Sequence, residues 1–546
     1  MKSYKMDFRS LSFHQGWPEP GLVKLGASLG FNNITLQTEG GTIEPLKELR
    51  ERSKGYFELA EELDMTTGLW VHELEDYDEE WGSPGLQNQD LWDGLSERYE
   101  WILTELFPEI NHLVLTVVES EIRVTEPDIL SRLVGTLLEE CQNAGKDLIL
   151  RTHVWNPDEM DAVSEAISAI PEEVKLMTKS VPQDWHLRSV DNPLIDEING
   201  ERLIIEQDVA GEFFRMDAVA NCFTDILEHR YRKWAEQECM GVSVRVDRGW
   251  RPWEYQNSVL GEAQEANLWA LGYWSSGKPI SQDEVWHDYA SERFGQSVAP
   301  NIIKAFKPTG KVIAEGLCVE DETFGDPRRE IPVERTTESR VAEAYPDSED
   351  ELFKNPFYRR WSNFRWDSSF KENYHKMRKG DDEIIERKAS SYLDKLLLAN
   401  TSLELIEQID RHDVPAGGKE FFRFKLEENK WHLRVMSEIE LAWLKALKRL
   451  YSDSAEEKSK LLSDINYHLS NCEELLKQTG EQKRVEWLDE THDLNRGMSM
   501  GSRAVQKVTN WEGRLRELST SDIRSSSGAR NLSKLISEFR RYFELS

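Results

Sequence analysis

VKLMTKSVPQDW (174–185) and LIIEQDVAGEF (203–213) decide the fold. Each opens on a short apolar run and closes on charged groups. The first ends in Lys179 and Asp184, the second in Glu206, Asp208 and Glu212. A short run that is apolar without alternation reads as a strand buried on both faces, as in a parallel sheet. The same theme recurs outward along the chain. The runs are FRSLSF (8–13), NITLQT (33–38), TTGLWVHE (66–73), HLVLTVVESE (112–121), KDLILRTHVW (146–155), VKLMTKS (174–180), RLIIEQD (202–208) and GVSVRVD (241–247). Stretches with helical spacing lie between them, among them GLVKLGASLG (21–30), PLKELRERSKGYFELAEEL (45–63) and ILSRLVGTLLEECQNAG (129–145). Gly30 and Gly145 stand where helix C-caps belong.

Strands alternating with helices imply parallel pairing through right-handed crossovers. Eight such units predict a (β/α)8 TIM barrel of the α/β class. An open doubly wound sheet fits less well. It concentrates polar residues at a switch point, whereas here they follow every strand, and no Gly-rich phosphate loop follows an early strand. The barrel is expected over residues 1–300 and an irregular connecting region packed on it over 301–379. An α-helical C-terminal domain is expected over 380–546, from apolar spacings of three and four in segments such as GKEFFRFKLEENKWHLRVMSEIELAWLKALKRLY (418–451).

The formal net charge of −33 excludes nucleic acid and anionic membranes as expected partners, since both need a basic surface. No apolar run approaches the roughly 18 residues of a membrane span. The opening MKSYKMDFRSLSF lacks the apolar core of a signal peptide, so a cytoplasmic location is expected, or a periplasmic one if a leader has been trimmed. Cys141, Cys222, Cys239, Cys318 and Cys472 are odd in number, widely spaced and without CxxC, which fits a reducing compartment. The sequence does not set the oligomeric state, and a homodimer is compatible with it.

Charged and aromatic residues crowd the strand ends. The fourth strand supplies Glu119 and Glu121, the fifth Arg151, His153 and Trp155, the sixth Lys179, Asp184 and Trp185. The seventh adds Glu206, Asp208 and Glu212, and the eighth Arg245, Asp247, Arg248 and Trp250. In a (β/α)8 barrel this end of the strands is where active sites form. Cleaving a glycosidic bond needs a protonated carboxylic acid for the leaving oxygen and a second carboxylate that activates water or attacks carbon. Glu121, Asp184 and Glu212 are the candidates. Trp70, Trp81, Trp155, Trp185, Trp250 and Trp253 also follow strands, and such rings form platforms for sugar C–H faces. His72 and His153 lack metal-ligand spacing and read as hydrogen-bonding residues, so neither metal nor cofactor is expected.

These segments resemble the α-glucuronidases of glycoside hydrolase family 67, best over about residues 112–290. Lys179, Asp184, Trp185, Arg188 and Pro193 are similar to the family's sixth-strand segment, which has the same lysine-to-aspartate step. IIEQDVAGEF (204–213) resembles its seventh strand, with the last glutamate falling on Glu212. LILRTHVW (148–155) and EANLWALGYW (265–274) resemble its fifth strand and its post-barrel segment. The resemblance starts at the barrel, without the family's N-terminal β-sandwich. It implies an exo-acting, inverting enzyme that releases a terminal uronic acid from an oligosaccharide. Glu121 would be the acid, Asp184 and Glu212 the carboxylates that activate water, and Arg151 and Lys179 the uronate ligands. Glu119, His153, Trp155, Trp185, Asp247, Arg248 and Trp250 would complete the substrate site. Val117 replaces a family lysine that also contacts the uronate. A metal-dependent sugar isomerase or epimerase, or a non-catalytic saccharide-binding barrel, are the alternative functions for such a strand-end set.

Overall fold

The protein is described by a computed structural model at residues 4–13, 19–37, 43–72, 85–116, 126–153, 163–181, 185, 187, 191–192, 194–211, 220–248, 257–319, 322–323, 376, 379–414 and 418–481. Eight parallel strands close into a barrel in sequence order: β1 Phe8–Phe13, β2 Asn33–Gln37, β3 Thr66–His72, β4 His112–Thr116, β5 Asp147–Arg151, β6 Lys175–Lys179, β7 Leu203–Asp208 and β8 Gly241–Arg245. β8 pairs with β1 through Ser10↔Ser243 and Ser12↔Arg245, which closes the ring. Helices return the chain between strands, including α1 Pro20–Leu29, α2 Ile43–Glu62, α3 Gln89–Trp101, α4 Pro127–Asn143, α5 Leu194–Glu197 and α6 Thr224–Glu236. Gly30 and Gly145 adopt φ of +102° and +70°, the left-handed conformation that ends a helix.

Successive residues of each strand face opposite ways. One set, including Leu69, Val71, Leu113, Leu115, Leu148 and Leu150, joins the large core between sheet and helices. The other set points into the barrel, where Trp70, Val114, Ile149, Met177 and Ile204 form a separate apolar plug. On the β1–β2–β8 side the interior is small and polar. Ser10 Oγ donates to Asn33 Oδ1 at 2.6 Å, and the Ser12 and Ser243 hydroxyls meet at 2.6 Å. His112 fits beside them, 3.3 Å from Thr35 Oγ1 and edge-on to Phe8. Burial, reinforced by the Lys175 charge, pushes its pKa down to about 3, so it stays neutral.

Beyond the barrel, α7 Glu265–Ser275 is buried at all of its residues. α8 Gln282–Phe294, α9 Ala299–Phe306 and α10 Thr309–Leu317 follow. The last two reach residue 317, and most of the remaining stretch expected to be an irregular connection (301–379) lies outside the described residues. α11 Asp382–Glu407, α12 Gly418–Tyr451 and α13 Ala455–Glu481 then form the helical region. Lys388 of α11 is buried between Glu315 of α10 at 2.8 Å and Glu440 of α12 at 2.5 Å. Burial alone would lower its pKa, but the two glutamates raise it, so the ion cluster locks three helices together. Phe421, Phe422 and Leu426 of α12 belong to the barrel's own outer core. No helix among the described residues is long and apolar enough to cross a membrane.

A Cβ at Gly68 would collide with the His112 imidazole, which Thr35 and Phe8 hold in place. Gly68→Ala should therefore destabilise the fold by about 1–3 kcal/mol, the usual cost of overpacking. Chemical denaturation measures this, and an unchanged midpoint would refute the proposed interior packing.

Candidate active site

The C-terminal ends of β5 to β8 bring four charged side chains together. Arg151 ends β5, Lys179 ends β6, Glu206 lies near the end of β7 and Arg245 ends β8. Strand parity turns all four inward, and register sets Lys179 beside Glu206. Arg151 donates from Nε to Glu206 Oε2 at 2.6 Å and from Nη2 to Oε1 at 3.2 Å. Arg245 donates from Nη1 to Oε1 at 3.2 Å. All four residues are buried. The Trp70 ring forms the floor, with the Arg151 and Arg245 guanidinium carbons 4.9 Å and 5.8 Å from its centroid. Its Nε1 donates to Thr116 Oγ1 at 2.8 Å.

Burial by itself would push the Glu206 carboxyl up. Arg151, Arg245 and Lys179 reverse that and hold its pKa at about 2. A carboxyl that stays ionised at every working pH is a poor general acid. Glu206 instead orients two guanidiniums. The sequence placed it at a strand end without a role, because its partners come from β5 and β8 and only the closed register unites them.

Other strand-end residues fall around this centre. His153 is buried two residues past the end of β5, and Asp247 is buried where residues 247–248 pair antiparallel with 257–258. His72 Nε2 lies 3.0 Å from Gln37 Nε2. Asp208 accepts from the Ala210 and Gly211 amides at 2.8 Å and 2.7 Å, so its carboxylate turns the chain at the end of β7. Trp185 packs as a core tryptophan, its centroid 4.6 Å from that of Phe223. Trp70, grouped by sequence with the sugar-facing rings, is fully buried in the barrel floor. Glu119, Glu121, Trp155, Asp184, Glu212 and Trp250, and the side chain of Arg248, lie outside the described residues. Among the described residues no three His, Cys, Asp or Glu side chains converge as a metal-binding group.

No protein-family model matches the chain, and no curated protein matches it. Among solved structures it is similar to a GH138 enzyme targeting pectin rhamnogalacturonan II. The TM-score is 0.60 at 10% identity, over 87% of this chain and 62% of that one. A looser similarity, at a TM-score of 0.41 and 12% identity, is to CpGH84B, over 87% of this chain and 74% of that one. At 10% identity the likeness to the GH138 enzyme is one of fold. The chain folds as a TIM barrel like that of the GH138 enzyme, and it spans 62% of that structure's length. The family 67 resemblance of the strand-end motifs rests on the sequence alone.

Glu206→Gln removes a carboxylate that faces both arginines. It should destabilise the protein by about 3–5 kcal/mol, as when one partner of a buried ion pair is deleted. The folded pKa of Glu206, about 2, lies below its ordinary value of 4.5. Its stabilisation is therefore complete above that ordinary value and fades as pH falls toward 2. Denaturation across this range should show a smaller acid-dependent loss in Glu206→Gln than in the native protein, and equal losses would refute the assignment.

Proposed function

We propose that the protein is a glycoside hydrolase that releases a terminal uronic acid from an oligosaccharide in one inverting step. The observation that carries the reading is the buried Arg151–Glu206–Arg245 cluster with Lys179 beside it. In a chain of net charge −33, it concentrates cations at the barrel end where (β/α)8 enzymes bind their substrates. Glu206 fixes the plane of Arg151, so a ligand carboxylate meets donors whose orientation is already set. Arginine suits such contact through its planar fork and lysine through its point charge.

The chemistry follows the strand-end motifs. Glu121 protonates the glycosidic oxygen as the bond from the anomeric carbon breaks. Water attacks that carbon from the opposite face, and Asp184 with Glu212 takes the water's proton. Inversion needs room for this water, so the acid and base carboxyls should lie roughly 6.5–9.5 Å apart. Lys179 and Arg151 hold the uronate carboxylate, and His153, Glu119, Asp247, Arg248, Trp155 and Trp250 frame the sugar, while Trp185, buried in the core, supports them from behind.

A panel of uronic acid-terminated oligosaccharides, with product anomers followed by proton NMR, tests the reading. The first product should have inverted configuration. Glu121→Gln should lower kcat by about 10²–10⁴-fold, the usual contribution of a positioned acid. Retained configuration, or an active Glu121→Gln beside an inactive Glu119→Gln, would overturn the mechanism or the strand register. Lys179→Met should raise KM for a uronide far more than for the matching neutral glycoside. Equal losses on both would defeat the uronate assignment and leave hydrolysis standing. No release from any sugar would defeat the enzyme itself.

A further inference from the structure

The loop after β7 leaves the barrel at residues 208–211 and returns at 220–223, and both feet are tied to side chains from outside the barrel. Asn267 of α7 bridges them. Its Nδ2 donates to Val209 O at 3.3 Å on the outgoing foot and to Asn221 O at 3.0 Å on the returning one. Its Oδ1 accepts from Phe223 N at 2.9 Å. One primary amide thus uses two donors and an acceptor to hold the loop's ends together, and no other side chain of this size offers that set. Asn267 is fully buried.

The returning foot has further anchors. Thr309 Oγ1 accepts from Cys222 N at 3.0 Å, and Gly310 N donates to Cys222 O at 3.0 Å. A Cβ at Gly310 would collide with that carbonyl. Asn429 Nδ2, buried on α12, donates to Ala220 O at 2.6 Å. One turn earlier, Lys425 pairs with Glu262 at 2.9 Å, and both are buried. Phe422 packs edge-on against Phe294 and Phe306, with centroids 4.9 Å and 5.2 Å away. The near half of α12 is therefore seated firmly enough on the barrel to act as a fixed reference.

We infer that Asn267 and Asn429 are positioning residues for the β7 loop, so that the helical region is a working part of the barrel's active site. The catalytic half of this inference rests on the proposed function, in which that loop carries Glu212. The geometric half stands on the bonds above. Displacing a reacting group by about 1 Å from a distance costs roughly 100-fold in rate, so a loop that carries the water-activating carboxylate needs fixed feet.

The test uses full-length Asn267→Ala, Asn429→Ala and the conservative Asn429→Gln, each read by two measurements. Backbone deuterium exchange needs no substrate. Exchange across residues 205–223 should quicken in both alanine variants, while β2 to β4 stay protected. Kinetics then use whichever uronic acid-terminated oligosaccharide the native protein cleaves. Asn429→Ala should lose roughly 10- to 100-fold in kcat with KM little changed, and Asn429→Gln should recover part of it. Unchanged exchange in Asn429→Ala would overturn the clamp. Faster exchange with unchanged kcat, or an equal rise in KM alone, would overturn the positioning role. If Asn267→Ala fails to fold, Asn429→Ala decides, since it removes a single bond at the loop's edge. A native protein that cleaves no sugar would sink the hydrolase reading, and the exchange measurement would still decide the clamp.

Discussion

Glu206 is a buried carboxylate near the end of β7, and arginines from β5 and β8 converge on it across the barrel mouth. Each charge would be costly in that position alone. Together they form charge-assisted hydrogen bonds in a medium of low polarity, where such bonds are strong. The cluster spans β5 to β8 and so depends on the closed register of the strands. It also fixes the planes of the guanidiniums, with Lys179 alongside, above the face of Trp70.

The barrel interior beneath it is divided. The β3–β7 side is filled by Trp70, Val114, Ile149, Met177 and Ile204. The β1–β2–β8 side is filled by hydroxyls and amides that satisfy one another, as in the Ser10–Asn33–Thr35 and Ser12–Ser243 contacts. Apolar packing gives no direction to a neighbour, whereas hydrogen bonds do. The polar half therefore fixes the approach of β1, β2 and β8, and the apolar half supplies bulk. Gly68 and Gly241 make room where large partners cross, His112 in one case and Phe8 in the other.

Much of the fold was legible in the sequence because each strand is a bounded apolar run. FRSLSF matches β1 from Phe8 to Phe13, and the other seven runs each contain their strand. What could not be read was which residues of a run face inward. A strand buried on both faces shows no alternation, so Trp70 looked like a ring at a strand end when it forms the barrel floor. Glu206 and Arg245 were visible as strand-end charges, yet their pairing depends on a register that no local pattern encodes. The clamp at Asn267 was hidden for the same reason. The side chains expected to do the chemistry, Glu121, Asp184 and Glu212, are readable only from motif spacing.

The helical region completes this logic. A barrel can hold the ends of its strands rigidly, but the segments beyond them need partners of their own. Here α7 and α12 supply those partners at the feet of the β7 loop, through Asn267 and Asn429. The overall acidity of the chain acts differently from these contacts. Surface charge is screened over about 8 Å at physiological ionic strength, so it decides little among the buried groups. The buried cations act over bond lengths in a less polar medium, where their orientation is maintained by Glu206 rather than by solvent. The geometry of the mouth is thus set by short-range contacts among buried groups and by the fixed loop feet, and the surface charge has little part in it.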